Sequence, residues 1–228
     1  MSIMRELKAE VDTSIEKLRT SNFKIDPIAG KQFSRIPSVI GSMQKRHGLI
    51  IEKAIFEAVS SYDHFTVWKE ETFKVSSAVN HAISNVNNVK QNPDWLHLVD
   101  HDYPYGEKST TLQIDILAFN RNTKNLYALE IKRGYSMHDA GKKKSILRNA
   151  LAVQMLLKGY GKSELGVGDF NSAISKICSY YKVQEFPSEI QIDKDDLDDF
   201  FEVPIYEMVE EVNNYFRNQI HSLMLNET

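Results

Sequence analysis

Apolar residues recur every three or four positions near both ends of the chain and every second position in its middle. Ile3, Leu7, Val11, Ile15 and Leu18 predict an amphipathic N-terminal helix with a narrow apolar stripe, suited to packing on the domain or pairing with a partner chain. Residues 24–42 carry Pro27, Gly30, Pro37 and Gly41 and read as a connector. A helix is expected over about 44–60, where Ile51, Ala54, Ile55, Ala58 and Val59 form one face and Glu52 sits at its edge. FTVWKEETFKV (65–75) reads as a strand or strand pair. Residues 76–91 read as a helix stopped at Asn92-Pro93, and 92–110 as a loop.

Two strands follow, over about 111–119 and 125–132. The polar turn Asn120–Lys124 joins them as an antiparallel hairpin. A helix over about 142–158 is expected to stop at Gly159. SAISKICSYYKV reads as a further strand, the acidic 193–202 as loop or marginal helix, and the segment after Pro204 as a final amphipathic helix. This order predicts an α/β fold with a sheet covered by helices. We divide it into an N-terminal helix and connector (1–43), a core (44–182, with an insertion at about 76–110), and an acidic segment with a C-terminal helix (183–228) belonging to the same domain.

Composition adds a class and a compartment. At 42% hydrophobic and 26% charged residues, the 228-residue chain reads as an ordinary globular protein. No apolar run reaches the roughly 20 residues needed to span a bilayer, so no membrane association is expected. MSIMRELKAEVD lacks a signal-peptide core, and Cys178 is the only cysteine, which fits a reducing cytoplasm. The net charge of −3 hides an uneven distribution. Residues 121–148 hold eight Lys or Arg against two acids, and residues 185–211 eleven acids against one Lys. A local polyanion site on an otherwise acidic protein is compatible with this.

The hairpin carries the chemistry. Strict alternation puts Gln113, Asp115, Leu117 and Phe119 on one face of the first strand, and Ala128, Glu130 and Lys132 on one face of the second. If Asp115 aligns near Glu130, two carboxylates and an ammonium converge. Adjacent carboxylates repel unless a cation binds or a pKa shifts. A hard ion such as Mg²⁺, with Mn²⁺ as substitute, suits them, and the implied reaction is metal-assisted phosphodiester hydrolysis.

Asp115 followed by Glu130-Ile131-Lys132 on the next strand resembles the core of the PD-(D/E)XK nuclease superfamily, over roughly residues 44–180. The resemblance implies a restriction-endonuclease-like αβββαβ core, a central mixed sheet flanked by helices, with N- and C-terminal helices added. It implies metal ligation by Asp115, Glu130, Glu52 and the Ile131 carbonyl, with these three carboxylates and Lys132, the catalytic lysine, carrying the reaction. Glu52 matches a glutamate that relatives often place on the helix before the sheet. Gln154 matches a supporting glutamine on the helix after it. Ile114 stands where the family pattern has proline. Pro93-Asp94 is a literal Pro-Asp in a loop and is set aside, and Glu6-Leu7-Lys8 repeats Glu-x-Lys without strand context.

Lys142, Lys143, Lys144 and Arg148 open the following helix, where helix N-termini attract phosphate. With Arg121, Lys124 and Arg133 they are expected to contact the DNA backbone. His97 and His101 have the i, i+4 spacing of a metal pair but lie between Pro93 and Pro104, so a loop approaching substrate is the stronger reading. His47 is expected at the surface; Trp68 and Trp95 are expected in the core or as loop anchors. The sequence is expected to encode a Mg²⁺-dependent deoxyribonuclease of restriction or defence type, forming a homodimer with one site per strand. The alternatives are an RNA or branched-DNA nuclease, or a non-catalytic binding module with the same fold.

Overall fold

A computed structural model of the chain describes residues 3–84, 86, 95–135, 137–168 and 170–225, the side chains of residues 31 and 32 excepted. The far end of the expected 76–91 helix and the Pro93-Asp94 pair lie outside these residues. The chain divides into two compact units, Met1–Ala58 with Pro204–Thr228, and Val59–Val203.

The first unit is helical. It contains α1 (Ile3–Thr20), most of α2 (Gly30–Ser60) and α6 (Tyr206–Leu225). The apolar stripe of α1 is buried as expected, and α1 packs on α6. Lys8 Nζ lies 2.6 Å from Glu211, and the Tyr215 hydroxyl donates to Asp12 at 2.8 Å. The connector expected over 24–42 is in large part helix, because α2 starts at Gly30 and runs through Pro37. Proline inside a helix removes one backbone bond and crowds the preceding turn. Val39, nearly fully buried beyond it, shows that packing overrides this local cost. Asp26 closes the entry by accepting the N–H groups of Ile28 and Ala29, each at 2.8 Å, and these bonds hold its carboxyl below the ordinary value. His47 is not at the surface. It is buried, 2.7 Å from Asn213 Oδ1 through Nε2, and stacked on Phe216.

The second unit is a five-stranded mixed sheet in the order β1-β2-β3-β4-β5: β1 (Phe65–Val75), β2 (Thr110–Asn120), β3 (Asn125–Lys132), β4 (Ser172–Ser179) and β5 (Gln191–Ile192). The β1–β2 and β2–β3 pairs are antiparallel, and the β3–β4 and β4–β5 pairs parallel. The parallel step needs a crossover, which α4 (Ala140–Glu164) supplies. With α2 ahead of β1, this is the expected restriction-endonuclease-like arrangement of a mixed sheet flanked by helices.

Between β1 and β2, the short α3 (Ser77–Ser84) and a 3-10 turn (Leu96–Asp100) are not loose insertions. Val79, Ile83, Trp95 and Leu98 join the core under α4. Trp68 packs against the same core, and its indole N–H donates to Tyr160 at 3.1 Å. The acidic stretch after β5 forms a capped turn and α5 (Leu197–Phe201). Asp193 accepts from the Asp195 N–H at 2.8 Å, and the Asp193 N–H donates to Asp196 at 2.9 Å.

Helix α4 passes through Gly159 instead of ending there. A Cβ at Gly159 would lie 2.6 Å from the Tyr103 carbonyl, and one at Gly161 2.3 Å from the Phe170 ring. Both glycines therefore serve close packing, which outweighs their low helix propensity. No helix among the described residues is long and apolar enough to cross a membrane.

Candidate active site

Strand β2 does not keep strict alternation. Its ladder with β1 pairs Trp68 with Leu117 but Glu70 with Ile114. Two steps along β1 thus span three along β2, and the extra residue falls at Asp115-Ile116. The opposite irregularity between Glu70 and Phe73 restores the register. Leu112 and Ile114 therefore face the same core as Leu117 and Phe119, which corrects the single unbroken face expected for Gln113 to Phe119. A bulge of this kind redirects one side chain and interrupts pairing locally.

The redirected residue is Asp115. The last β2–β3 backbone pair is Ile116 with Leu129. Beyond it, the Ile131 N–H is met not by a β2 carbonyl but by Asp115 Oδ2, at 2.7 Å. On an extended strand the N–H and C=O of one residue leave along the same edge, so the Ile131 carbonyl also faces the Asp115 side. Strand β3 itself stays regular, paired with β4 from Asn125–Ser172 to Lys132–Ser179. Glu130 and Lys132 follow Leu126 and Ala128 in parity, and these two lie in the core beneath α4. The Lys132 ammonium donates to Glu130. Their side chains are 25% and 33% exposed, intermediate between a solvated surface pair and a buried one.

This donor set suits a hard cation: a carboxylate with one oxygen on a backbone N–H, a second carboxylate paired with lysine, and a peptide carbonyl. No group of three or more His, Cys, Asp or Glu gathers at metal spacing among the described residues. Magnesium does not need one, because it is ordinarily held by one or two carboxylates with water and substrate oxygens. Glu52 is half-buried on α2 and belongs to the first unit, whereas Asp115, Glu130 and Lys132 belong to the second.

A family model described as "Type II restriction endonuclease, HinfI" matches residues 2–164, well over half of the chain. The chain belongs to the HinfI restriction endonuclease family. This family lies within the PD-(D/E)XK superfamily, so the protein is a nuclease whose substrate is DNA. The matched span includes Glu52, Asp115, Glu130, Lys132 and Gln154. Neither a curated protein nor a solved structure gives a significant match.

In this HinfI-family chain the other expected residues are dispersed. Gln154 is bonded to the backbone of β4. Its amide donates to the Ala173 carbonyl at 3.1 Å and accepts the Ser175 N–H at 2.6 Å, along a part of β4 that β5 does not cover. Arg121 and Lys124 lie at the hairpin turn, about 25 Å along β3 from Lys132. The Arg121 guanidinium is bonded to the Asp63 carbonyl. Arg133 and the α4 lysines lie past the other end, so the basic run of the sequence is split between the two ends of the sheet.

Asp139 caps α4 by accepting the Lys142 N–H at 2.9 Å, and its carboxyl is held low by that bond. Lys142 is exposed and Lys144 half-buried. Lys143, expected to face DNA, is buried 3.2 Å from Glu185, and Arg148 donates to the Ser84 carbonyl. The His97 and His101 rings stand edge to face, 5.5 Å apart, with His101 Nδ1 2.8 Å from the His97 carbonyl.

Glu185 was not foreseen. It opens the acid-rich stretch 185–211, yet it is buried against His138 and Lys143. Burial pushes its carboxyl up. The bonds from the His138 ring, the His138 N–H at 2.7 Å and Lys143 outweigh that and hold it below the ordinary value. Cys178 is fully buried, which raises its thiol pKa and makes it a poor nucleophile.

Proposed function

We propose that this protein is a Mg²⁺-dependent DNA endonuclease of restriction type, accepting Mn²⁺ in its place, with its reactive centre at the Lys132 end of β2 and β3. The observation that carries the reading is the Asp115 carboxylate bonded to the Ile131 N–H where the β2–β3 ladder stops. Asp115, Glu130 and the Ile131 carbonyl would hold the metal. The family pattern adds a carboxylate from the helix before the sheet, and Glu52 is the residue carried over to it. When bound, a divalent ion supplies Lewis-acid polarisation of the phosphodiester and offsets its charge.

The chain's own groups divide the rest of the work. Asp115 keeps one oxygen fixed on a peptide N–H, which orients the other without a mobile partner. Lys132, now paired with Glu130, would orient the attacking water and meet the negative charge that develops on the phosphoryl oxygens. Arg133, Lys142 and Lys144 would contact the DNA backbone beyond the carboxyl end of β3, positioning the substrate without reading its sequence. Arg121 would do so only from the hairpin turn, and Arg148 and Lys143 would support α4. Gln154 fits a structural brace better than a direct part in the site. A two-fold dimer with one site per strand is the arrangement that double-strand cleavage implies. Residues 44–182 would form the catalytic core. A cytoplasmic setting fits the single buried cysteine.

The test is incubation with plasmid, single-stranded and branched DNA, with and without Mg²⁺ or Mn²⁺, beside Lys132→Ala. We expect metal-dependent cutting of duplex DNA by the parent and a loss on the order of a thousandfold in the variant. Equal cleavage by Lys132→Ala would remove the site assignment. Metal-independent cleavage would remove the proposed chemistry.

A further inference from the structure

The loop from β3 to α4 begins with Arg133, already placed on the DNA backbone, and sets beside it aromatic rings to which the proposed function gives no role. Its first residues are held by β4. The Tyr180 N–H donates to the Lys132 carbonyl and the Tyr181 N–H to the Arg133 carbonyl, each at 3.0 Å. Gly134 follows with φ +63°, and a Cβ there would meet Ser179 Oγ at 2.1 Å and the Ser179 backbone at 3.0 Å, so any other residue would be strained and would crowd β4. At its far side the loop is tied by His138, whose ring and backbone N–H both engage the buried Glu185. Glu185 is itself fixed, since the Gln191 side chain accepts the N–H groups of Glu185 and Phe186, each at 3.0 Å.

On this anchored loop the Arg133 guanidinium lies 5.0 Å from the Tyr135 ring centre and 5.4 Å from that of Tyr181. The two rings stand edge to face, 6.3 Å apart. Tyr135 is 68% exposed. A large aromatic ring held in water on a fixed loop gives up hydrophobic burial, which is understandable if a partner covers it. An arginine ordered by aromatic faces loses less freedom on binding a phosphate than a mobile one. The cluster follows the carboxyl end of parallel strands, where open α/β sheets receive their ligands. It adjoins Lys132 and precedes the exposed Lys142, so the surface continues the proposed DNA path.

We propose that the Arg133–Tyr135–Tyr181 cluster is a preorganised DNA contact beside the cut phosphodiester. Arg133 takes a backbone phosphate and the Tyr135 ring stacks on a base or sugar face, while the Glu185–His138–Lys143 group holds the loop in place. This rests on the catalytic reading above for its location, and adds a contact that Asp115, Glu130 and Lys132 do not make. Tyr181 and Glu185 lie beyond the residues that match the family.

The experiment measures equilibrium binding in the Lys132→Ala background, so that cleavage does not interfere. The probe is a fluorescein-labelled duplex spanning a cleavage site mapped on plasmid DNA. Tyr135→Ala should weaken binding on the order of tenfold or more, because stacking on an aromatic side chain contributes about that much per base. Tyr135→Phe should restore it. Arg133→Met should weaken binding and flatten its salt dependence, and His138→Ala should weaken binding without lowering the melting temperature enough to unfold the protein. Parent-like binding by both Tyr135→Ala and Arg133→Met overturns the proposal. So does equal weakening in Tyr135→Phe, which would point to the hydroxyl instead of the ring. If Lys132→Ala itself cleaves, the catalytic assignment fails, and the binding comparison repeated in Ca²⁺ still decides the loop.

Discussion

The two ends of β3 handle polar side chains in opposite ways. At the Asn125 end, several amide side chains are met by neutral backbone and hydroxyl partners. Asn120 is almost fully buried, yet its side-chain oxygen accepts the N–H groups of Asn122 and Thr123 at 3.0 and 3.2 Å. Asn125 donates to the Tyr127 hydroxyl at 3.1 Å, and Gln154 completes the uncovered edge of β4. These bonds replace water one for one, which is what keeps buried polar groups from being costly. At the Lys132 end, backbone pairing stops early, a bulge turns Asp115 out of register, and two opposite charges stay only partly buried. One end is arranged for stability. The other tolerates interrupted pairing and incompletely buried charge, which is typical of a site that must still accept a ligand.

The sharpest way to break this comparison is Asp115→Asn. The neutral amide keeps the size and can still accept the Ile131 N–H, but it loses the charge that a cation needs. We expect cleavage to fall on the order of a thousandfold, with a melting temperature equal to or above that of the parent. A large loss of stability without loss of cleavage would show that Asp115 belongs with the structural end.

The contrast was only partly legible in the amino-acid order. The hairpin could be read because alternating apolar residues flank a polar turn, and α4 because its apolar face is long. The Glu130–Lys132 parity held because β3 is regular. Asp115 escaped the same rule because a bulge belongs to a pair of strands, and neither strand encodes it alone. Gly159 read as a helix stop, since its real constraint is the Tyr103 backbone, remote in sequence. Pro37 misled for the same reason, its local cost being offset by packing that no local window contains. Strand β5 has two residues, too short for any periodic signal. Glu185 sat unnoticed in an acidic run because its burial depends on His138 and Lys143, more than forty positions earlier.

A smaller effect should come from the structural end. Gln154→Leu keeps the apolar bulk of the side chain but leaves the Ala173 carbonyl and the Ser175 N–H without their partner. Unmet buried backbone groups cost about 1–3 kcal/mol, which for a chain of this size lowers the melting temperature by several degrees. Thermal melting checks this directly. Cleavage measured well below the melting point should stay within a few-fold of the parent. A rate loss as large as that of Asp115→Asn, at unchanged stability, would move Gln154 into the reactive set.

The smallest effect lies on the acid side and concerns Glu185, which is buried like the structural residues but bonds His138 in the loop that follows β3. Its folded-state pKa is lowered from the ordinary 4.5: burial opposes ionisation, but the bonds from His138 and Lys143 prevail. A lowered folded value means that the unfolded chain binds the proton more readily in acid. Stability from this group is therefore fully present above pH 4.5 and is lost as pH falls through the lower folded value. Glu185→Gln removes that titration. Melting temperatures followed downward from neutral pH should fall less steeply below pH 4.5 in the variant, from a lower starting point, because Lys143 loses its counter-charge in a buried place. Parallel acid limbs in the two proteins would mean that the carboxyl is not held ionised by its neighbours. The loop would then be anchored by Gly134 and the two tyrosine N–H groups alone.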